Sequence, residues 1–124
     1  MKMGSSQRHT ELLPLDTLTT VQFLCLAIET AKLLGWVFGN ITERGFIAYT
    51  NNGLFSWNAE IKLTLKNGLA TLQSQSMGVD IKYLHENEKS IQGFIIAFQS
   101  LKKTLTPEEI GSMYENLKAS FLLK

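Results

Sequence analysis

Apolar residues recur at three- and four-residue spacing in three stretches of this chain and at two-residue spacing in one, a contrast that predicts helices and a sheet together. Leu24, Ala27, Ile28, Ala31 and Leu34 mark one face of a helix over Val21 to Leu34, with Gln22, Glu29 and Lys32 opposite. Thr19 or Thr20 supplies its N-cap, and Gly35 follows as the residue free to turn left-handed and end it. Leu26 and Leu33 fall on the otherwise polar side. Either another element covers them or they form a small contact patch.

After Gly35 the period shortens. Trp36-Val37-Phe38 and Phe46-Ile47-Ala48-Tyr49-Thr50 are aromatic and β-branched runs joined by Thr42-Glu43-Arg44-Gly45, with Gly45 suited to the positive-φ position of a hairpin loop. Asn51-Asn52-Gly53 marks the next turn. Ala59, Ile61, Leu63 and Leu65 then alternate with Glu60, Lys62, Thr64 and Lys66, and Asn67-Gly68 supplies both positive-φ residues of a type I′ turn. That turn sets Leu65 opposite Ala70, Leu63 opposite Leu72 and Ile61 opposite Ser74. Lys62, Lys66, Thr71, Gln73 and Gln75 are left on a wet face, as antiparallel sheets allow. Gly78 to Tyr83 reads equally as a strand or as a connection.

Asn87 is placed to cap a second helix, in which Ile91, Phe94, Ile95, Phe98 and Leu101 form the stripe and Lys102 and Lys103 complement the last turn. Thr106-Pro107-Glu108-Glu109 opens a third, with Thr106 as N-cap, Pro107 at the first helical position and Glu109 closing a capping box. Its stripe is Ile110, Met113, Tyr114, Leu117 and Phe121. The predicted fold class is therefore α+β: a helix, an antiparallel sheet of about four strands, then two C-terminal helices packed on one sheet face. Residues 1–14 are polar and read as a flexible leader before a single domain over residues 15–124.

Composition narrows this picture without redirecting it. A chain of 124 residues with 44% hydrophobic and 19% charged residues is one domain's worth, able to fold without staples. Twelve basic against eleven acidic side chains leave a net charge of +1, which gives no net field toward nucleic acid or anionic lipid. The lone Cys25 cannot close an internal disulfide, and no apolar signal segment precedes it. Gln22, Glu29 and Lys32 interrupt the most apolar stretch, so no membrane span is expected. A cytoplasmic location follows as the expectation.

Glu29-Thr30-Ala31-Lys32-Leu33-Leu34-Gly35-Trp36, then Gly45-Phe46-Ile47-Ala48-Tyr49-Thr50 and Ser56-Trp57, resemble a small soluble domain of Bacteroidetes-type bacterial proteins. There it precedes the transmembrane helices of rhomboid-family intramembrane serine proteases. Leu105-Thr106-Pro107-Glu108-Glu109 with Tyr114-Glu115-Asn116-Leu117 resembles the connector to the membrane, so the likeness spans roughly residues 15–120. The family's Gly-x-Ser-Gly nucleophile motif does not occur here, and no catalytic residue carries over. The resemblance implies an accessory domain at the cytoplasmic face of a membrane, with a protein partner or adjoining membrane domain and no catalysis of its own.

The residues themselves offer little chemistry. A Ser–His–acid set needs a positioned base, and His9 lies in the polar leader while His85 stands just before a helix, where capping alone explains a polar residue. Cys25 borders the first helix's apolar face and reads as a small hydrophobe. No CxxC, HExxH, GxGxxG or Walker spacing exists, so neither a metal nor a cofactor is expected. Lys62 and Lys66 on the wet face lack the stacking aromatics and wider basic field that nucleic acid requires. Tyr49, Phe55 and Trp57 flank the Asn51-Asn52-Gly53 turn and, with Phe121 near the end of the last helix, are the candidate partner contacts. Packing beneath the sheet is the competing account of these aromatics. A non-catalytic interaction or regulatory domain is the expected function. The alternative is a small-molecule binder or minor enzyme with a pocket between sheet and helices.

Overall fold

The computed structural model describes residues 8–50, 59–76 and 84–122. Within them the order is β1 (Arg8–Pro14), α1 (Thr20–Leu33), β2 (Val37–Thr42), β3 (Gly45–Tyr49), β4 (Ala59–Lys66), β5 (Leu69–Ser76), α2 (Leu84–Thr104) and α3 (Pro107–Leu122). The strands form one antiparallel sheet in the order β1-β5-β4-β3-β2. The helices gather on one face, α2 lying against β5 and β1 and α1 packing on both α2 and α3. The class is α+β, with five strands rather than about four.

The central hairpin follows from its turn. Asn67 and Gly68 hold φ of 54° and 76°, the pair of left-handed residues whose twist matches the strands they join. Leu65 pairs with Ala70, Leu63 with Leu72 and Ile61 with Ser74. One face of β4 is buried residue by residue while Lys62, Thr64 and Lys66 stay exposed. Ile61, Leu63, Leu65, Ala70 and Leu72 meet Phe23, Leu24, Ala27, Ile91, Phe94 and Phe98 from the helices in a single core.

The added strand is β1. Residues 8–14 were expected to belong to a flexible leader; they instead run along β5, with His9 opposite Ser74 and Leu13 opposite Ala70. Polar residues fill both faces of this edge strand, so the alternation that reveals β4 is missing here. His9 and Glu11 point to the helix side and are half-buried together, with His9 Nε2 and Glu11 Oε2 at 2.8 Å.

Caps set the helix ends. Thr19 Oγ1 accepts from the Gln22 amide at 3.1 Å and Gln22 Oε1 accepts from the Thr19 amide at 2.9 Å, which satisfies two otherwise orphaned donors. Thr106 and Glu109 close the same box at α3, at 3.2 and 2.8 Å. α2 begins at Leu84 rather than after Asn87, so His85 and Asn87 both lie inside its first turn. Gly78 to Tyr83 lies outside the described residues.

Candidate functional site

Two features of the surface are built by specific local geometry, and the first is the corner where α1 gives way to β2. Gly35, at φ 79°, takes the left-handed position after Leu34. Its amide donates to the Lys32 carbonyl at 3.0 Å, and the Trp36 amide donates to the Ala31 carbonyl, also at 3.0 Å. Those two bonds are the Schellman pattern, in which the residue after the glycine folds back on the helix. Trp36 accordingly turns inward and stacks on Phe94. The same turn sends Leu33, Leu34 and Val37 outward, with 69%, 39% and 52% of their surface exposed.

Leu26 and Leu33 thus part company. Leu26 is fully buried in the core that α1 shares with the sheet and α2, whereas Leu33, at the end of the helix, is left exposed. Tyr49 pairs with Val37 across β2 and β3. Its half-buried ring lies over Gly39, where a Cβ would stand 2.8 Å from Tyr49 Cε2. Tyr49 therefore belongs to the open sheet face, packed along β2, and borders the Leu33–Val37 corner. Thr50 follows it inward and clamps the base of the next loop: the Ala59 amide donates to Thr50 Oγ1 at 2.8 Å, and the Thr50 amide donates to the Ala59 carbonyl at 3.0 Å.

Of the other candidate contacts, Phe55 and Trp57 lie outside the described residues. Phe121 falls in the last turn of α3, and its side chain lies outside them as well. The aromatic cluster is thus represented here by Tyr49 alone. Leu34 and Val37 carried no signal as contact residues in the sequence, because both sit in patterns that predict burial.

The second feature is a notch on the open face of the sheet. Gly45 begins β3 at φ 148°, and a Cβ there would stand 1.8 Å from the Leu63 carbonyl oxygen. The close approach of β3 to β4 demands glycine and leaves a gap in the side-chain cover. Asn40, Thr42, Arg44, Ile47, Lys62 and Thr64 surround an open concavity of about 190 Å³ over it. The turn itself is fixed by the Arg44 amide donating to Thr42 Oγ1 at 3.2 Å and by the Leu65 amide donating to the Arg44 carbonyl at 2.7 Å.

Elsewhere among the described residues, the groups singled out for their chemistry are occupied or enclosed. His9 and Glu11 form a bonded pair, and Ser74 is the residue opposite His9. That places a hydroxyl, an imidazole and a carboxylate on one side of the sheet. Ser74 is fully buried, so its hydroxyl meets no substrate. Cys25 is buried in α1; burial first, and the nearby Glu29 carboxylate second, push its thiol pKa up, away from the reactive thiolate. Among the described residues, no three His, Cys, Asp or Glu side chains stand together as a metal site would require. Between sheet and helices, Leu13, Phe23, Ile95 and Phe98 line a concavity of about 80 Å³. At about 30 Å³ per water, that holds two or three waters, far below the several hundred Å³ of metabolite pockets.

No helix among the described residues is long and apolar enough to cross a membrane. The fold and surface define an α+β domain whose five-stranded sheet is covered by helices on one face and bears its polar side chains on the other. Neither protein-family models nor curated proteins yield a match to this chain.

Proposed function

We propose that this chain is a non-catalytic interaction domain that docks against a protein surface, and that it serves as an accessory domain at the cytoplasmic face of a rhomboid-type membrane protein. The observation that carries the docking reading is the apolar corner of Leu33, Leu34 and Val37, bordered by Tyr49. Single exposed leucines are ordinary on protein surfaces. Three large apolar residues are exposed within five positions around a Schellman turn, apolar surface of the kind that a partner would cover. The membrane setting rests on the resemblance of Glu29 to Trp36, Gly45 to Thr50 and Ser56-Trp57 to the soluble domain of that family.

The experiment is fractionation of the source cells with an antibody raised against the chain, alongside a strain carrying Leu33→Asp and Val37→Asp at the native locus. The expected result is a membrane-fraction species well above 13.9 kDa, or a stable complex containing one, that the paired substitutions release or destabilise. A free 13.9 kDa species in the soluble fraction would remove the membrane assignment. An unaltered complex in the substituted strain would remove the corner as its contact.

A further inference from the structure

The notch over Gly45 has a chemical character of its own, independent of the partner reading above. Its walls come from three strands in register. Asn40 and Lys62 flank Ile47 in one cross-strand row, and Thr42 and Thr64 flank Gly45 in the next. Arg44 stands at the turn that closes the end. Side chains two strands apart are separated by roughly 10 Å. A tetrahedral oxyanion with hydrogen-bond donors on opposite sides spans roughly 8 Å between those donors. With no side chain on Gly45 the gap between the Thr42 and Thr64 positions is open, with Arg44 and Lys62 among the residues that line it.

Charge favours the same occupant. The lining includes two cations, one amide and two hydroxyls, and no carboxylate. Neither Arg44 nor Lys62 takes part in the ion pairs formed among the described residues, which engage His9, Lys32 and Lys102. Both are exposed, as is Lys66 one row beyond, and the carboxylate of Glu60 lies a row away on the far side of Lys62. In a chain whose net charge is only +1, this places positive charge at an open concavity of about 190 Å³, room enough for a phosphate-sized group.

We propose that the notch over Gly45, walled by Asn40, Thr42, Arg44, Lys62 and Thr64, is a binding subsite for a single phosphate group, free or borne on a lipid headgroup. Arg44 supplies the planar fork, Lys62 the point charge, and the Asn40 amide with the Thr64 hydroxyl the neutral donors, while Thr42 Oγ1 is held in the turn between the Arg44 amide and the Gly45 carbonyl.

The test is a titration of the isotope-labelled full chain with inorganic phosphate, following backbone amide shifts at constant ionic strength against a chloride control. Saturable shifts confined to residues 40–47 and 62–64 are expected. Arg44→Gln and Lys62→Gln should each weaken binding by about tenfold, whereas Lys66→Gln, outside the notch, should change it less than about twofold. All three positions are exposed, so the variants retain the fold, which their amide spectra check directly. A parallel arm measures sedimentation with vesicles containing phosphatidic acid against neutral vesicles. Capture that Lys62→Gln abolishes assigns the phosphate to a lipid headgroup; phosphate shifts without capture assign it to a free phosphoryl ligand. The proposal is overturned if shifts are absent, if they spread equally to Lys66 and Arg8, or if Lys66→Gln weakens binding as much as Lys62→Gln.

Discussion

The indole of Trp36 stacks on the ring of Phe94 with centroids 5.5 Å apart and planes 16° from parallel. The contact ties the end of α1 to the middle of α2, and it continues inward. Phe94 lies 6.0 Å from Phe98, and Phe98 lies 4.6 Å from Phe23. Four rings, from α1, the turn that follows it and α2, thus form one seam under the sheet, with Trp36 at its outer end. The Schellman turn at Gly35 both caps the helix and delivers the ring that closes the core, while exposing Leu33 and Leu34 as a consequence.

Phe94 is fully buried in the middle of that seam. Phe94→Ala removes ring contacts on two sides and leaves a cavity that rigid neighbours cannot collapse, so it should cost about 3–5 kcal/mol in urea unfolding. A loss below about 1 kcal/mol would show that the seam does not hold α2 in place.

Leu26 and Leu33 share a side of α1 and differ in burial, 0% against 69%. Leu26→Ala should lower stability by about 2–5 kcal/mol, and Leu33→Ala by less than about 0.5 kcal/mol. Equal losses in chemical denaturation would mean that Leu26 is not enclosed in the core.

What the sequence revealed, and what it concealed, follows from the range of each interaction. The β4–β5 register was legible because Asn67-Gly68 dictates it within a few residues, and both capping residues of α3 stand beside the backbone amides they serve. Strand β1 was concealed because an edge strand with His9 and Glu11 toward the helices and Leu12 toward solvent carries no period-two signal. The burial of Leu26 depends on how α1 packs into a core built from the sheet and α2, and no local pattern encodes it. The notch required knowing that Gly45 meets Leu63 across β3 and β4; the sequence pointed to Gly45 only as a loop residue. At the Leu33–Val37 corner the sequence flagged Leu33 alone, since Val37 sat in what read as a buried strand.

Gly45 and Gly68 both hold positive φ, and only one is also crowded. An added Cβ at Gly68 meets nothing within 4 Å, so Gly68→Ala should cost about 1–2 kcal/mol from backbone conformation alone. At Gly45 the same methyl would overlap the Leu63 carbonyl, forcing β3 away from β4. Gly45→Ala should therefore be clearly the more destabilising of the two, and amide exchange should quicken across the β3–β4 ladder. Comparable losses for the two variants would show that the strands do not approach so closely.

Cys25 offers a pH-dependent check on the core. Its thiol pKa is raised, first by burial and then by Glu29, so the folded state holds that proton more tightly than the unfolded state does. The contribution to stability is complete below the unfolded thiol pKa, about 8.5, and is lost as pH climbs from there through the folded value. Native chain should consequently react slowly with a disulfide reagent at pH 8, and urea should accelerate the reaction to the rate of a free thiol. Cys25→Ala should flatten the decline of stability as pH rises above about 8.5. Rapid labelling of the native chain, or an unchanged alkaline slope in the variant, would mean that α1 opens far more readily than its burial between the sheet and two helices allows.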